Sequence, residues 1–262
     1  MQTQSLSTEQ IAKIAPSIFA SNAYVACSER YTYIPTCQVL NALQAEGFEP
    51  FRVSQTKSID ENHRGFAKHL IRLRHVSSFN DDDPNEIILI NSHDGTSSYR
   101  MMAGVYRVAC ANGLICGNTL NEIRVHHTGD IIGRVIEGAY EILKDFEVID
   151  AQKDSMKSIK LTMQDQYEFA NRALIVRYGQ YKSDHKVHES QLLQARRETD
   201  CNNDLWTVFN RIQENLTTGG LLARTATNRR SHTRPITGID NSIRLNRALW
   251  TVAEDMQQRR TL

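Results

Sequence analysis

The sequence has no C-x-x-C pair, and its five cysteines (Cys27, Cys37, Cys110, Cys116 and Cys201) are odd in number and widely spread. That excludes a disulfide framework and a zinc site of ordinary spacing. Cys110 and Cys116 lie in apolar company and are expected to be small core residues. No apolar run approaches the roughly 20 residues that cross a bilayer, so no membrane partner is expected. The opening MQTQSLSTEQ lacks the basic and apolar regions of a secretory signal, and the cytoplasm is the expected location. The patterns G-x-x-x-x-G-K-[ST], G-x-G-x-x-G and G-x-S-x-G are absent, which leaves nucleotide hydrolysis and acyl transfer without support. No cofactor and no bound metal are expected.

Charge of one sign is not in excess overall, with 31 Lys and Arg against 30 Asp and Glu. What is uneven is its placement. Acid is missing between Glu61 and Asp81, where Arg64, Lys68, Arg72 and Arg74 occur with three histidines. It is missing again between Glu214 and Asp240, where Arg224, Arg229, Arg230 and Arg234 stand. Two acid-free basic tracts in a neutral chain have the signature of a localised polyanion site, and these eight residues are the candidate nucleic-acid contacts. Arg72 and Arg74 would share one face of a strand, about 7 Å apart from a rise of roughly 3.3 Å per residue. Phe66, Tyr99 and Tyr106 could supply stacking surfaces, although core packing suits them better.

At 262 residues the chain is long enough for a substantial core. The expected arrangement is a single domain over 1–262, with an α+β core over 1–150 and a mostly helical extension over 151–262. Ser7-Thr8-Glu9-Gln10 has the capping-box pattern of a helix start, and Pro16 interrupts or ends that helix. Thr36 can cap a short helix that Gly47 stops. Phe48 to Gln55, His69 to Val76 and Glu86 to Asn91 read as strands. Tyr99 to Ala111 reads as a buried helix closed by Asn112-Gly113. Leu120 to His127 is a further strand, and Ile131 to Lys144 a helix. An extended piece near Lys157 to Thr162 precedes helices over Gln164 to Arg177, His188 to Arg197, Asp204 to Leu216 and Asn241 to Met256. Thr217 to Gly238 reads as a Gly-, Thr- and Arg-rich loop. The fold class is therefore α+β, an antiparallel sheet with a β-β-β-α core and a largely helical C-terminal half.

His93-Asp94 with His126, His127 and Asp130 carries the side chains a metal-dependent nuclease would use. Neighbours on a strand face opposite ways, however, so His126 and His127 cannot share one pocket. Asp94-Gly95 is accounted for by turn chemistry. A non-catalytic protein is the better reading.

The stretch NSHDGTSSY…GVYRVACANGL, together with IRLNRALW near the C-terminus, resembles the phage/plasmid-like protein family, domain of unknown function number 932 in its series. The resemblance covers nearly the whole chain. It implies carriage on a mobile genetic element, hence a role in the element's DNA metabolism or in countering host defence. YTYIPTCQVLNALQAEGFEPFRVSQTK also resembles the opening of eukaryotic-type single-strand annealing proteins. That second likeness implies a β-β-β-α core, a homo-oligomeric ring and single-stranded DNA held in a basic groove. The expected function is single-stranded DNA binding in annealing, recombination or protection of element DNA. The alternative is an anti-defence inhibitor that binds a host immune, nuclease or recombination protein, with the Asp81 to Glu86 loop as a DNA mimic.

Overall fold

A computed structural model describes residues 4–27, 31–58, 60–78, 83–107, 112–116, 122–179, 187–225 and 227–261. Its contacts gather into two compact units, Met1–Ile115 with Thr119–Phe146, and Cys116–Asn118 with Glu147–Leu262.

The first unit opens with α1 (Thr8–Ile14). Its capping box forms as the sequence predicts: Ser7 Oγ accepts from the Gln10 amide, and Gln10 Oε1 accepts from the Ser7 amide. α1 ends at Ile14, and Pro16 begins a single 3-10 turn. α2 (Thr36–Ala45) follows, but Thr36 is its first residue and not its cap; Pro35 stands at the cap. Then come β1 (Phe48–Gln55), the one-turn α3 (Glu61–Arg64), β2 (His69–His75), β3 (Asn85–Asn91), β4 (Tyr99–Arg107), β5 (Asn112–Ile115) and β6 (Ile123–Val125). The strands run antiparallel in the order β1-β2-β3-β4-β5, and β6 pairs with β4 beside β5.

The helix expected over Tyr99 to Ala111 is a correction. Residues 99–107 are a strand, and 108–111 lie outside the described residues. β4 is flanked by β3 on one side and by β5 and β6 on the other, and it is buried along almost its whole length. A strand covered on both faces loses its period-two alternation, so its apolar run cannot be told from a buried helix by periodicity. The β-β-β-α core is therefore a continuous antiparallel sheet. Asn112-Gly113 opens β5 where the sequence suggests a helix cap.

α4 (Ile131–Ser158) starts in the first unit and ends in the second. The second unit adds α5 (Met163–Tyr178), α6 (Glu189–Leu192), α7 (Leu205–Thr218), β7 (Leu222–Arg224), β8 (Arg230–His232) and α8 (Ile239–Thr261). The expected extended piece is present just before α5, where Lys160 bridges to Asp204. The helix expected over His188 to Arg197 shrinks to the single turn of α6. α7 is capped by Asp204, which accepts from the Thr207 amide at 2.8 Å, and it is buried from Leu205 to Leu216. Phe169, Trp206, Phe209 and Trp250 pack edge-on and stacked around it. Two of its buried polar groups find partners on the same unit: Arg197 forks onto Glu214, and Asn215 donates to the carbonyls of Leu192 and Gln194. The architecture is α+β, an antiparallel sheet in the N-terminal half and helices through most of the C-terminal half. No described helix is long and apolar enough to cross a membrane.

Candidate nucleic-acid interface

The eight candidate arginines and lysine separate by unit. In the first unit, β2 alternates as expected, with Arg72 and Arg74 on one face. That face, however, is covered: Arg72 is 5% exposed and Arg74 4%. Both guanidiniums converge on Glu86, itself fully buried, at 2.9 Å each. Arg72 also donates to the Leu114 carbonyl, and Arg74 stacks over the rings of Phe51 and Tyr106. Gly113 leaves room for the Arg72 guanidinium, since a Cβ there would overlap its Cζ and both terminal nitrogens. A desolvated cation already satisfied by a carboxylate offers nothing to a phosphate. Arg72 and Arg74 therefore leave the candidate contact set, and Tyr106 and the buried Tyr99 leave the candidate stacking set. Lys68 is half-buried and engaged; Arg64 is exposed at the end of α3.

The second tract is built differently. Thr217 to Gly238 is not an irregular loop but a β-hairpin, β7 against β8, with Leu222 opposite His232, Ala223 opposite Ser231 and Arg224 opposite Arg230. Its turn closes through the Asn228 amide to Thr225 O (2.8 Å) and the Arg229 amide to Thr225 Oγ1 (3.1 Å), with Asn228 at φ 60°. Asn tolerates that left-handed conformation better than most side chains. At the base, the Gly220 amide donates to Thr233 O and the Thr233 amide to Leu221 O, which extends the ladder toward α7. Gly219 turns the chain out of α7 at φ 70°, ψ −155°, a conformation nearly reserved for glycine. Three-residue strands fall below the length at which alternation can be recognised, so the sequence reads as loop.

Alternation in the hairpin puts Leu222 and Arg224 on the same face as Arg230 and His232. All four are exposed, Leu222 at 52%, while Ala223 behind them is buried. Arg229 and Arg234 are exposed as well. Among the described residues none of these four arginines has a carboxylate partner; Arg224 is held only by Asn228, through its carbonyl and side-chain oxygens at 3.3 Å. Beside the hairpin lies a cleft of about 440 Å³ lined by His188, Gln191, Leu222, Ala223, Arg224, Asn228 and Arg230. Gln191 fixes one wall by donating to the Leu222 carbonyl at 3.0 Å. Among the described residues the lining contains no acid. His188, Gln191, Leu222 and Asn228 are site residues that the sequence does not signal, because they meet only through the fold.

The histidines of the first unit form a separate polar cluster. Thr36 Oγ1 sits at its centre, accepting from Asn91 Nδ2 (3.1 Å) and lying 2.9 Å from His69 Nε2, 3.0 Å from His93 Nε2 and 3.3 Å from Tyr99 OH. A hydroxyl has one donor and two acceptor positions, so three of these four contacts can be made at once. Ser17 Oγ meets His69 Nδ1, and His127 Nε2 donates to Asn91 Oδ1. Burial, then the neighbouring His93, lowers His69 to about 3; burial, then His127, lowers His93 to about 4. Both imidazoles are neutral at pH 7. Asp94 makes the expected turn, accepting from Thr96, with Gly95 at φ 77°. Asp130 accepts from the Gly133 amide at the start of α4. His126 is exposed and His127 buried, but β6 ends at Val125, so strand alternation does not govern them: both line one open cleft of about 380 Å³ with Tyr31 and Thr96, which corrects the expectation that they cannot share a pocket. Among the described residues no three His, Cys, Asp or Glu side chains are grouped to hold a metal ion.

Residues 24–250 match the family model described as "Domain of unknown function (DUF932)". The chain is similar to UPF0380 protein YfjQ of Escherichia coli (strain K12), 48% identical over 252 residues, which is 96% of this chain and 91% of that protein. It is similar also to UPF0380 protein YafZ of the same organism, 48% identical over 250 residues, covering 95% and 90%. No solved structure matches. With the family model spanning most of the sequence and both relatives aligned almost end to end, the chain belongs to the DUF932 family.

Proposed function

We propose that this chain binds single-stranded DNA without catalysing a reaction on it, through the arginine hairpin, in the annealing, recombination or protection of mobile-element DNA. The observation that carries this reading is the pair Arg224 and Arg230, directly opposite across the ladder with no carboxylate partner among the described residues. Like charges facing each other across two strands destabilise the pairing, and a bound anion removes that cost. Arg229 and Arg234 lengthen the positive surface, and exposed Leu222 offers an apolar patch to a base or sugar. A single strand, whose unstacked bases are free to meet the protein, suits a small cleft of about 440 Å³ better than a duplex. In the annealing form of this function several copies share one strand as a homo-oligomer, which light scattering with and without oligonucleotide tests.

Binding of this kind depends steeply on salt, with a log–log slope of about 0.7 per phosphate contact on a single strand. Titration of a labelled oligonucleotide at several salt concentrations should show Arg224→Ala/Arg230→Ala weakening binding and flattening the slope by about 0.7 to 1.4, one to two phosphate contacts' worth. Equal affinity and slope in wild type and variant would sink the proposal. The acidic loop that a DNA mimic would need has weaker support. Glu86 is turned inward onto Arg72 and Arg74, and Asp81 and Asp82 lie outside the described residues. Failure to bind any oligonucleotide at low or moderate salt would favour a protein partner instead.

A further inference from the structure

Arg224 and Arg230 are cross-strand neighbours, so their Cβ atoms stand about 5 Å apart and their guanidiniums can reach a common point. Two forks on one centre suit a single phosphate bearing extra charge and extra acceptor oxygens. Around that point the cleft adds His188, Gln191 and Asn228 and, among the described residues, no carboxylate. The cleft has a volume of about 440 Å³. An internal phosphodiester carries one negative charge and two free oxygens. A terminal phosphomonoester carries about −1.5 to −2 at pH 7 and three.

Resting on the DNA-binding reading above, we propose that the cleft between β7, β8 and α6 is a subsite for the phosphorylated end of a DNA strand. Arg224 and Arg230 clamp the terminal phosphate, Leu222 packs against the end nucleoside, and Arg229 and Arg234, outside the cleft, serve the phosphates that follow.

The test compares one fluorescent oligonucleotide sequence in three forms: 5′-phosphorylated, 3′-phosphorylated and with hydroxyls at both ends. Wild-type protein should bind one of the phosphorylated forms at least about tenfold more tightly than the hydroxyl form, the ratio that one added hydrogen bond to an ionised group supplies. Whichever form gains identifies the end that is read. Single variants Arg224→Ala and Arg230→Ala should bring the ratio to near one, with the hydroxyl form bound more weakly than by wild type but still measurably, through Arg229 and Arg234. Arg229→Ala should weaken all three forms together and keep the ratio. All three side chains are exposed, and circular dichroism of each variant checks that the fold survives. Equal binding of the three forms by wild type, or a ratio that Arg224→Ala and Arg230→Ala leave intact, overturns the end-binding subsite and leaves DNA binding standing. No binding of any form overturns both.

Discussion

Glu86 faces two buried guanidiniums, and that asymmetry sets the largest residue-scale effect in the first unit. Glu86→Gln leaves Arg72 and Arg74 desolvated without a counter-charge, and breaking a buried ionic group in this way costs about 3–5 kcal/mol. Urea unfolding should show that loss, against a change within about 0.5 kcal/mol for the exposed Arg229→Ala. A loss below about 1 kcal/mol for Glu86→Gln would mean that water reaches the pair. Gly113→Ala belongs to the same cluster. Its Cβ would occupy the space of the Arg72 guanidinium, which would have to give up Leu114 O or Glu86, and overpacking of this kind costs about 1–3 kcal/mol. The two substitutions should be non-additive, since both act through Arg72. Alternation in HLIRLRH correctly sets Arg72 and Arg74 on one face. That the face is closed depends on residues 14 and 42 positions away.

At the scale of elements, the hairpin depends on two backbone conformations. Gly219→Ala would place a Cβ 2.7 Å from the backbone of Arg234 and Pro235 and force a side chain into a region costing about 1–3 kcal/mol. The expected outcome is a displaced return strand: oligonucleotide affinity falls while the helical circular dichroism signal holds. Asn228→Gly keeps the turn and loses only the side-chain contact with Arg224, so its affinity should fall less than that of Asn228→Val, in which a β-branched residue at φ 60° breaks the turn. Matching affinity in Asn228→Val would show that the hairpin does not present the arginines. β1, whose bounds fall where the sequence sets them, and β4, which it reads as helix, differ in one respect. β1 is a sheet edge, so its polar positions remain visible in the pattern; β4 has neighbours on both edges and is buried along almost its whole length. The better a strand is enclosed, the less its sequence says so.

For the whole molecule, charges nearly cancel, so attraction of a polyanion comes from the local patch and is screened within about 10 Å at 0.1 M salt. Acid lability follows from the histidine cluster. In the unfolded chain these imidazoles take up protons below about pH 6.5, but in the fold His93 does so only near 4 and His69 near 3. The unfolded state therefore binds more protons across that window, and stability falls as pH drops through it. At Asp94, burial is outweighed by hydrogen bonds from Thr96 and Ser92 and by His63, so its carboxyl sits below the ordinary carboxylate value. Stability from that group is present above the unfolded value and is lost as pH falls through the lowered one, which adds to the same acid-side decline. Urea midpoints should be level above about pH 7 and decline steadily from about 6.5 to 4; a flat profile over that range would contradict neutral, buried imidazoles.

What the amino-acid sequence determined by itself is what neighbours along the chain decide: the Ser7–Gln10 box, the turn at Asp94-Gly95, the bounds of β1, the α+β class and the acid-free tracts. What only the tertiary structure decided is which of those tracts is free to meet a ligand. Caps, turns and periods are settled within a few residues by backbone geometry. Exposure of a cation is settled by where a distant carboxylate lands. Glu86 reaches Arg72 and Arg74 across two paired strands, and no acid reaches the hairpin among the described residues.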